Sequence, residues 1–205
     1  MSGHHDADHP AAAPGSRPEP VEQIRLELDG AAATRDFGAA LAGLLRAGDV
    51  LILTGDLGAG KTTFTQGLGR GLGVREGIIS PTFVLSRIHR SLRGGPDLVH
   101  VDAYRLRSAA ELTDLDLDAT VPASVTVVEW GRDMAEALAG YPDDPGASWL
   151  DLHLVRATGG DDTAAGEIIT DFSDEQGDGD DELRPAVLRA YGPRWTGVDL
   201  SVLAV

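Results

Sequence analysis

A chain of 205 residues, 42% of them apolar, is long enough to close one domain around a substantial core and too apolar for a disordered protein. It has no cysteine, which excludes disulfides and thiolate metal sites and fits a reducing, cytoplasmic compartment; its apolar runs are strand-sized, so no membrane span is expected. The formal net charge of −16 argues against a protein that grips a nucleic-acid backbone by its own electrostatics, so any nucleic acid in its biology is expected to be held by a partner. Residues 141–183 hold 13 acids and one base, Arg156, and read as a solvated acidic region or a docking segment.

In chain order, residues 1–20 are rich in His, Ala, Pro and Gly, lack periodicity and read as a disordered leader, with no apolar signal region after Met1. Residues 24–28 alternate as a strand through Ile24, Leu26 and Leu28. The spacing of Phe37, Leu41, Leu44 and Leu45 predicts a helix over 31–46, stopped by Gly48. A strand over 50–54 and a helix over 61–72 follow. Pro81 interrupts the chain before a strand over 83–91, and Gly94-Gly95-Pro96 marks a turn returning as a strand over 98–102. Residues 108–118 read as a short helix followed by an acidic turn, 125–129 as a strand, and the chain from Gly131 to near Gly140 as a helix. Residues 149–155 and 167–172 read as strands without intervening helices, hence as an antiparallel edge. Residues 174–182 hold six acids in nine positions and read as a linker. Residues 183–205, with Leu183, Val187, Leu188, Tyr191, Trp195 and Leu200, form a C-terminal extension that either packs back or stays loose. The main domain is thus expected over 21–173.

The run from Leu51 to Thr63 carries the sharpest signal. An apolar strand meets Gly55, and Gly60-Lys61-Thr62 follows after four residues, the strand–Gly-x-x-x-x-Gly-Lys-Thr–helix pattern of a phosphate-binding loop. Gly55, Gly58 and Gly60 let the backbone fold into a concave turn, and loop and helix amides then face a polyphosphate. The expected nucleotide contacts are Asp56, Leu57, Gly58, Ala59, Gly60, Lys61, Thr62 and Thr63, with Lys61 on the terminal phosphates and the Thr62 hydroxyl on Mg2+. With helices between the central strands, the fold class is α/β: a three-layer P-loop NTPase-like fold with a mixed central sheet and antiparallel edge strands.

Chemistry beyond binding needs carboxylates, and two close apolar strands: Asp102 and Glu129. Paired beside a phosphate loop, they are candidate catalytic groups, although acids also end strands for solubility. Trp130 either shields the site or caps the core. Arg105 is read as a phosphate or partner contact or as a structural ion pair. Ser80 and Thr82 flank Pro81 in what is either a nucleotide-sensing switch or an ordinary loop. Arg87, Arg90 and Arg93 make a basic cluster, either a docking face or solvated edge charge.

Four motifs in order carry a family resemblance: Gly55-Asp-Leu-Gly-Ala-Gly-Lys-Thr-Thr63, Ser80-Pro-Thr-Phe83, His100-Val-Asp-Ala-Tyr-Arg-Leu106 and Val128-Glu-Trp130. Over residues 24–172 the chain resembles the bacterial TsaE family, small P-loop ATPases needed to form threonylcarbamoyladenosine in tRNA. The resemblance implies ATP as substrate, Lys61 on phosphate, Thr62 and Glu129 on Mg2+, Asp102 orienting or activating water, and Thr34, before the first helix, near the base. Tyr104 and Arg105 fall within the family's His-x-Asp-x-Tyr-Arg-Leu motif around Asp102, and Trp130 matches the aromatic of its Glu-Trp pair. It further implies TsaD-like and TsaB-like partners, with ATP hydrolysis resetting their complex between turnovers, tRNA met only through them, and no membrane. The family's Gly-Arg pair before its last strand reads here as Gly166-Glu167, a departure. A small-molecule kinase and a non-catalytic nucleotide-dependent adaptor remain alternatives; no clear Arg-bearing lid is visible for the former, and the paired acids argue against the latter.

Overall fold

The computed structural model describes residues 17–156 and 183–204. The sixteen-residue start, the expected strand over 167–172 and the acidic run over 174–182 lie outside the described residues.

Seven strands form one mixed sheet: β1 (Glu22–Asp29), β2 (Val50–Thr54), β3 (Ser86–His89), β4 (Asp97–Asp102), β5 (Ser124–Glu129), β6 (Trp149–Leu154) and β7 (Leu183–Tyr191). Their order across the sheet is β1-β7-β6-β2-β5-β4-β3. The four central strands β6, β2, β5 and β4 run parallel. They read as nearly unbroken apolar runs because both faces are covered. Both margins are antiparallel, β1 on β7 and β3 on β4.

Period-two alternation sends successive residues into two cores. On one face, Leu51, Leu53, Val125 and Val127 pack beneath α1 (Gly30–Ala42) and α2 (Lys61–Leu72) through Phe37, Leu41, Phe64 and Leu68. On the other, Val50, Ile52, Val99, Val101 and Val128 lie under α3 (Ala109–Thr113) and short 3-10 turns. The two helices approach closely because their contact is made of glycine. A Cβ on Gly67 would collide with the Arg35 backbone, and one on Gly38 with the Phe64 carbonyl.

Several expected elements are shorter or differently placed. The first helix ends at Ala42 because the next amides turn back to carbonyls three residues earlier, Leu44 to Leu41 and Leu45 to Ala42. The strand expected over 83–91 is only Ser86–His89: Val84 and Leu85 both bond Pro81 O, and Leu85 has φ 63°, so the chain is still turning. The helix expected over 131–140 is a 3-10 turn, Ala135–Ala139, since Trp130 and Asp133 both sit at positive φ. Over 108–118 the expected order holds: the short helix is Ala109–Thr113, and the acidic turn after it passes through Asp114 and Asp116, the latter at φ 52°. The strand at 149–155 is not an edge; β6 is interior and parallel to β2.

The largest difference concerns the segment read as a C-terminal extension. Leu183–Tyr191 is β7, inserted between β1 and β6 and bonded to both. Trp195, Leu200 and Leu203 then join the core beneath α1. Residues 183–203 therefore belong to the folded domain.

Candidate functional site

Parallel register brings the ends of three strands together. Leu53 pairs with Glu129, and Glu129 with Asp102. The phosphate-loop strand and both acids thus end on one line at the carboxyl edge of the sheet, where open α/β sheets bind ligands.

The loop between β2 and α2 runs through three glycines at positive φ, Gly55, Gly58 and Gly60. Gly60 occupies the N-cap of α2 at φ 98°, and neither a capping side chain nor a first-turn acid engages the helix start. Its leading amides, which no intrahelical carbonyl can satisfy, are therefore available to an anion. Lys61 folds back under the loop, its Nζ donating to Gly55 O at 2.8 Å and Asp56 O at 2.9 Å. The same Nζ lies 3.7 Å from the centroid of the Trp130 ring. Burial lowers the Lys61 pKa below its ordinary 10.5, against the raising effect of Glu129, Asp102 and Asp56.

Thr62, one residue further, donates from Oγ1 to Glu129 Oε1 at 3.1 Å and approaches Oε2 at 3.5 Å. A hydroxyl and a carboxylate meeting beside a phosphate loop are hard oxygen donors of the kind Mg2+ selects, in the small number it takes when phosphates and waters supply the rest. Glu129 is only 3% exposed. Its remaining strong partner is His100, whose Nε2 lies 2.8 Å from Oε1. His100 opens the His100–Leu106 motif, where sequence alone assigns it no role; a histidine within an otherwise apolar strand carries no local signal of what it faces.

Asp102 is held differently. Its Oδ2 accepts from Thr82 Oγ1 at 2.6 Å and Ser80 Oγ at 3.0 Å, and Oδ1 accepts from the Tyr104 amide at 3.0 Å. The Ser80-Pro-Thr82 segment is thereby clasped to the acid, and the two hydroxyls lie 2.9 Å apart. Tyr104 meets Trp130 edge to face at 5.2 Å, and the Arg105 guanidinium lies 4.9 Å from the Phe83 ring centroid. Ser80, Thr82, Tyr104, Arg105 and Trp130 thus connect through contacts that run from Asp102 to Lys61. Leu57, Phe83 and Tyr104 are exposed.

Thr34 is inside α1, not before it. Its hydroxyl donates to Gly30 O at 2.8 Å, and it is fully buried beside Gly60. Two arginines not singled out as site residues flank the loop: Arg156, after β6, near Gly58, and Arg184, on β7, near Gly60. Arg184 bears on the departure noted at Gly166-Glu167. The last described strand begins Leu183-Arg184, so a basic residue does enter it, beside the phosphate loop. In the basic cluster, Arg90 pairs with Asp97 at 2.6 Å across the β3–β4 hairpin.

A mixed sheet with four parallel central strands, a glycine loop leading into a helix, and a Lys-Thr pair against a strand-end acid define a P-loop NTPase-like fold. The chain belongs to the TsaE family: the family model described as threonylcarbamoyl adenosine biosynthesis protein TsaE matches residues 28–158. A tRNA threonylcarbamoyladenosine biosynthesis protein TsaE from Streptomyces coelicolor is 48% identical over 83% of this chain and 99% of its own length. One of the same name from Mycobacterium leprae is 45% identical, over 58% of this chain and 74% of its own. The crystal structure of Bacillus subtilis YdiB shares the fold, with a TM-score of 0.57 and 24% identity, over 89% of this chain and 94% of that one. No helix among the described residues is long and apolar enough to cross a membrane.

Proposed function

We propose that this chain is a Mg2+-dependent ATPase required for forming threonylcarbamoyladenosine in tRNA, and that it hydrolyses ATP to reset a TsaD–TsaB-type complex between turnovers. The observation that carries the reading is the contact of Thr62 with Glu129 beside the buried Lys61. Family membership supplies the pathway.

The loop amides and the start of α2 bind the polyphosphate, and Lys61 exchanges the Gly55 and Asp56 carbonyls for phosphate oxygens. Thr62 and Glu129 would hold Mg2+, which neutralises phosphate charge when bound. Asp102, one strand over, orients or activates the attacking water once its clasp with Ser80 and Thr82 loosens. Trp130 and Tyr104 restrict water beside Lys61. Arg156 and Arg184 place positive charge beside the loop. The chain's net charge of −16 supports a tRNA-bound partner, not this protein, as the holder of the nucleic acid.

The test is multiple-turnover threonylcarbamoyladenosine formation by a TsaD–TsaB pair with substoichiometric amounts of this chain. Sustained turnover with the wild type, and arrest after the first cycles with Lys61→Ala, are expected. Equal product with both proteins would contradict the reading.

A further inference from the structure

His100 stands on β4 between Leu98 and Asp102, on the face that packs toward α2, and its exposure is 0%. Burying an imidazole there, in place of the valines and leucines around it, is costly unless its polar atoms are used. One is: Nε2 lies 2.8 Å from Glu129 Oε1. A carboxylate accepts and does not donate, so Nε2 carries the hydrogen and the bond fixes the tautomer. Nδ1 has no hydrogen-bond partner among the described residues, so the bond to Glu129 is the one hydrogen bond of this ring among them.

The register explains the reach. His100 pairs with Val127 while Asp102 pairs with Glu129, so His100 is one side-chain step back on the neighbouring strand and diagonal to the carboxylate. Oε1 of Glu129 is consequently held by two donors from two elements, His100 on β4 and Thr62 on α2, whereas Oε2 meets only the longer 3.5 Å approach from Thr62.

We infer that His100 is a positioning residue for Glu129, fixing one carboxylate oxygen so that the group is already turned toward Thr62 and the phosphate loop when a divalent cation arrives. The inference rests on the reading of Thr62 and Glu129 as the Mg2+ residues. It assigns to His100 the task that outer-shell partners of metal ligands perform, whose loss commonly weakens metal affinity by about 10–100-fold.

Gln and Asn at position 100 separate positioning from space-filling. The Gln amide reaches the position of Nε2, whereas the Asn amide falls one carbon short, yet both are polar and neutral. Trp130 fluorescence reports ADP binding in EDTA and in a Mg2+ titration; circular dichroism follows thermal unfolding of each variant. For H100N we expect ADP affinity in EDTA within about twofold of wild type and a Mg2+ half-saturation raised about tenfold. H100Q should lie near wild type, and H100L should match H100N if it folds. Equal Mg2+ half-saturation in H100N, H100Q and wild type would overturn the inference, as would matched losses with and without metal. Glu129→Gln is the control that tells the two readings apart. If it weakens Mg2+ coupling and H100N does not, only the role of His100 falls. If neither variant changes it, the assignment of Glu129 falls, and the inference with it.

Discussion

Asp102 stands directly opposite Glu129 across the β4–β5 ladder, each the last residue of its strand. Their surroundings divide the work between them. Glu129 is joined to the phosphate loop through Thr62, and Asp102 to the Ser80–Thr82 segment. Substitution should therefore separate two effects. Glu129→Gln is expected to leave ADP affinity in EDTA unchanged and to abolish most of the gain from Mg2+. Asp102→Asn should bind Mg-ATP normally and lower turnover by about a hundredfold or more. Calorimetric titration and steady-state hydrolysis check the pair; normal turnover in Asp102→Asn would make that acid a structural anchor.

The clasp on Asp102 has its own signature. Ser80→Ala and Thr82→Val each remove one hydrogen bond to the buried Asp102 side chain, a loss of about 1–3 kcal/mol. Because both hydroxyls share Oδ2, each single variant leaves that oxygen one donor, and the double variant, which leaves it neither, should cost more than the sum of the singles. Urea unfolding of the three proteins measures this.

A second buried ionic cluster lies away from the phosphate loop. Arg17, just before β1, pairs with Glu136 and reaches Asp151 at 3.0 Å, and both acids are buried, Asp151 completely. Its guanidinium also lies 5.4 Å from the Tyr191 ring centroid. Arg17→Ala leaves two buried carboxylates without their cation and should cost about 3–5 kcal/mol. Adding Asp151→Asn and Glu136→Gln should recover part of that, and denaturant unfolding distinguishes the outcomes.

Burial, with His100 and Arg87 adding to it, holds the His89 pKa below its ordinary 6.5. Above pH 6.5 the ring is neutral in both folded and unfolded chains, and its contribution to stability is fully present. As pH falls from 6.5 through the lowered folded value, the unfolded chain takes up a proton that the folded chain resists, and stability is lost. His89→Gln should flatten this part of the profile of thermal midpoint against pH; an unchanged slope would remove His89 as its source.

Much of the phosphate-loop motif and the candidate site around it is legible because its signals are local. Gly55, Gly60, Lys61 and Thr62 lie within eight residues, and the apolar run ahead of them needs no distant partner to be recognised as a strand. The acids at 102 and 129 were recognisable at their strand ends, but their adjacency is a matter of sheet register, which no local pattern specifies. β7 was read as an extension because its partners, β1 and β6, are remote in sequence or separated from it by the acidic run. The expected helix over 131–140 failed for a local reason that composition hides: Trp130 and Asp133 adopt positive φ although neither is glycine. Arg17 and Asp151 each look like ordinary surface charge until the fold buries them together.

The most direct measurement of the central claim is steady-state ATP hydrolysis with Mg2+, by the protein alone and with a purified TsaD–TsaB pair. The account predicts weak turnover alone, a marked rise with the pair, and loss of that rise in Lys61→Ala and Glu129→Gln. Fast turnover indifferent to the pair, or nucleotide binding with no turnover in either condition, would contradict it.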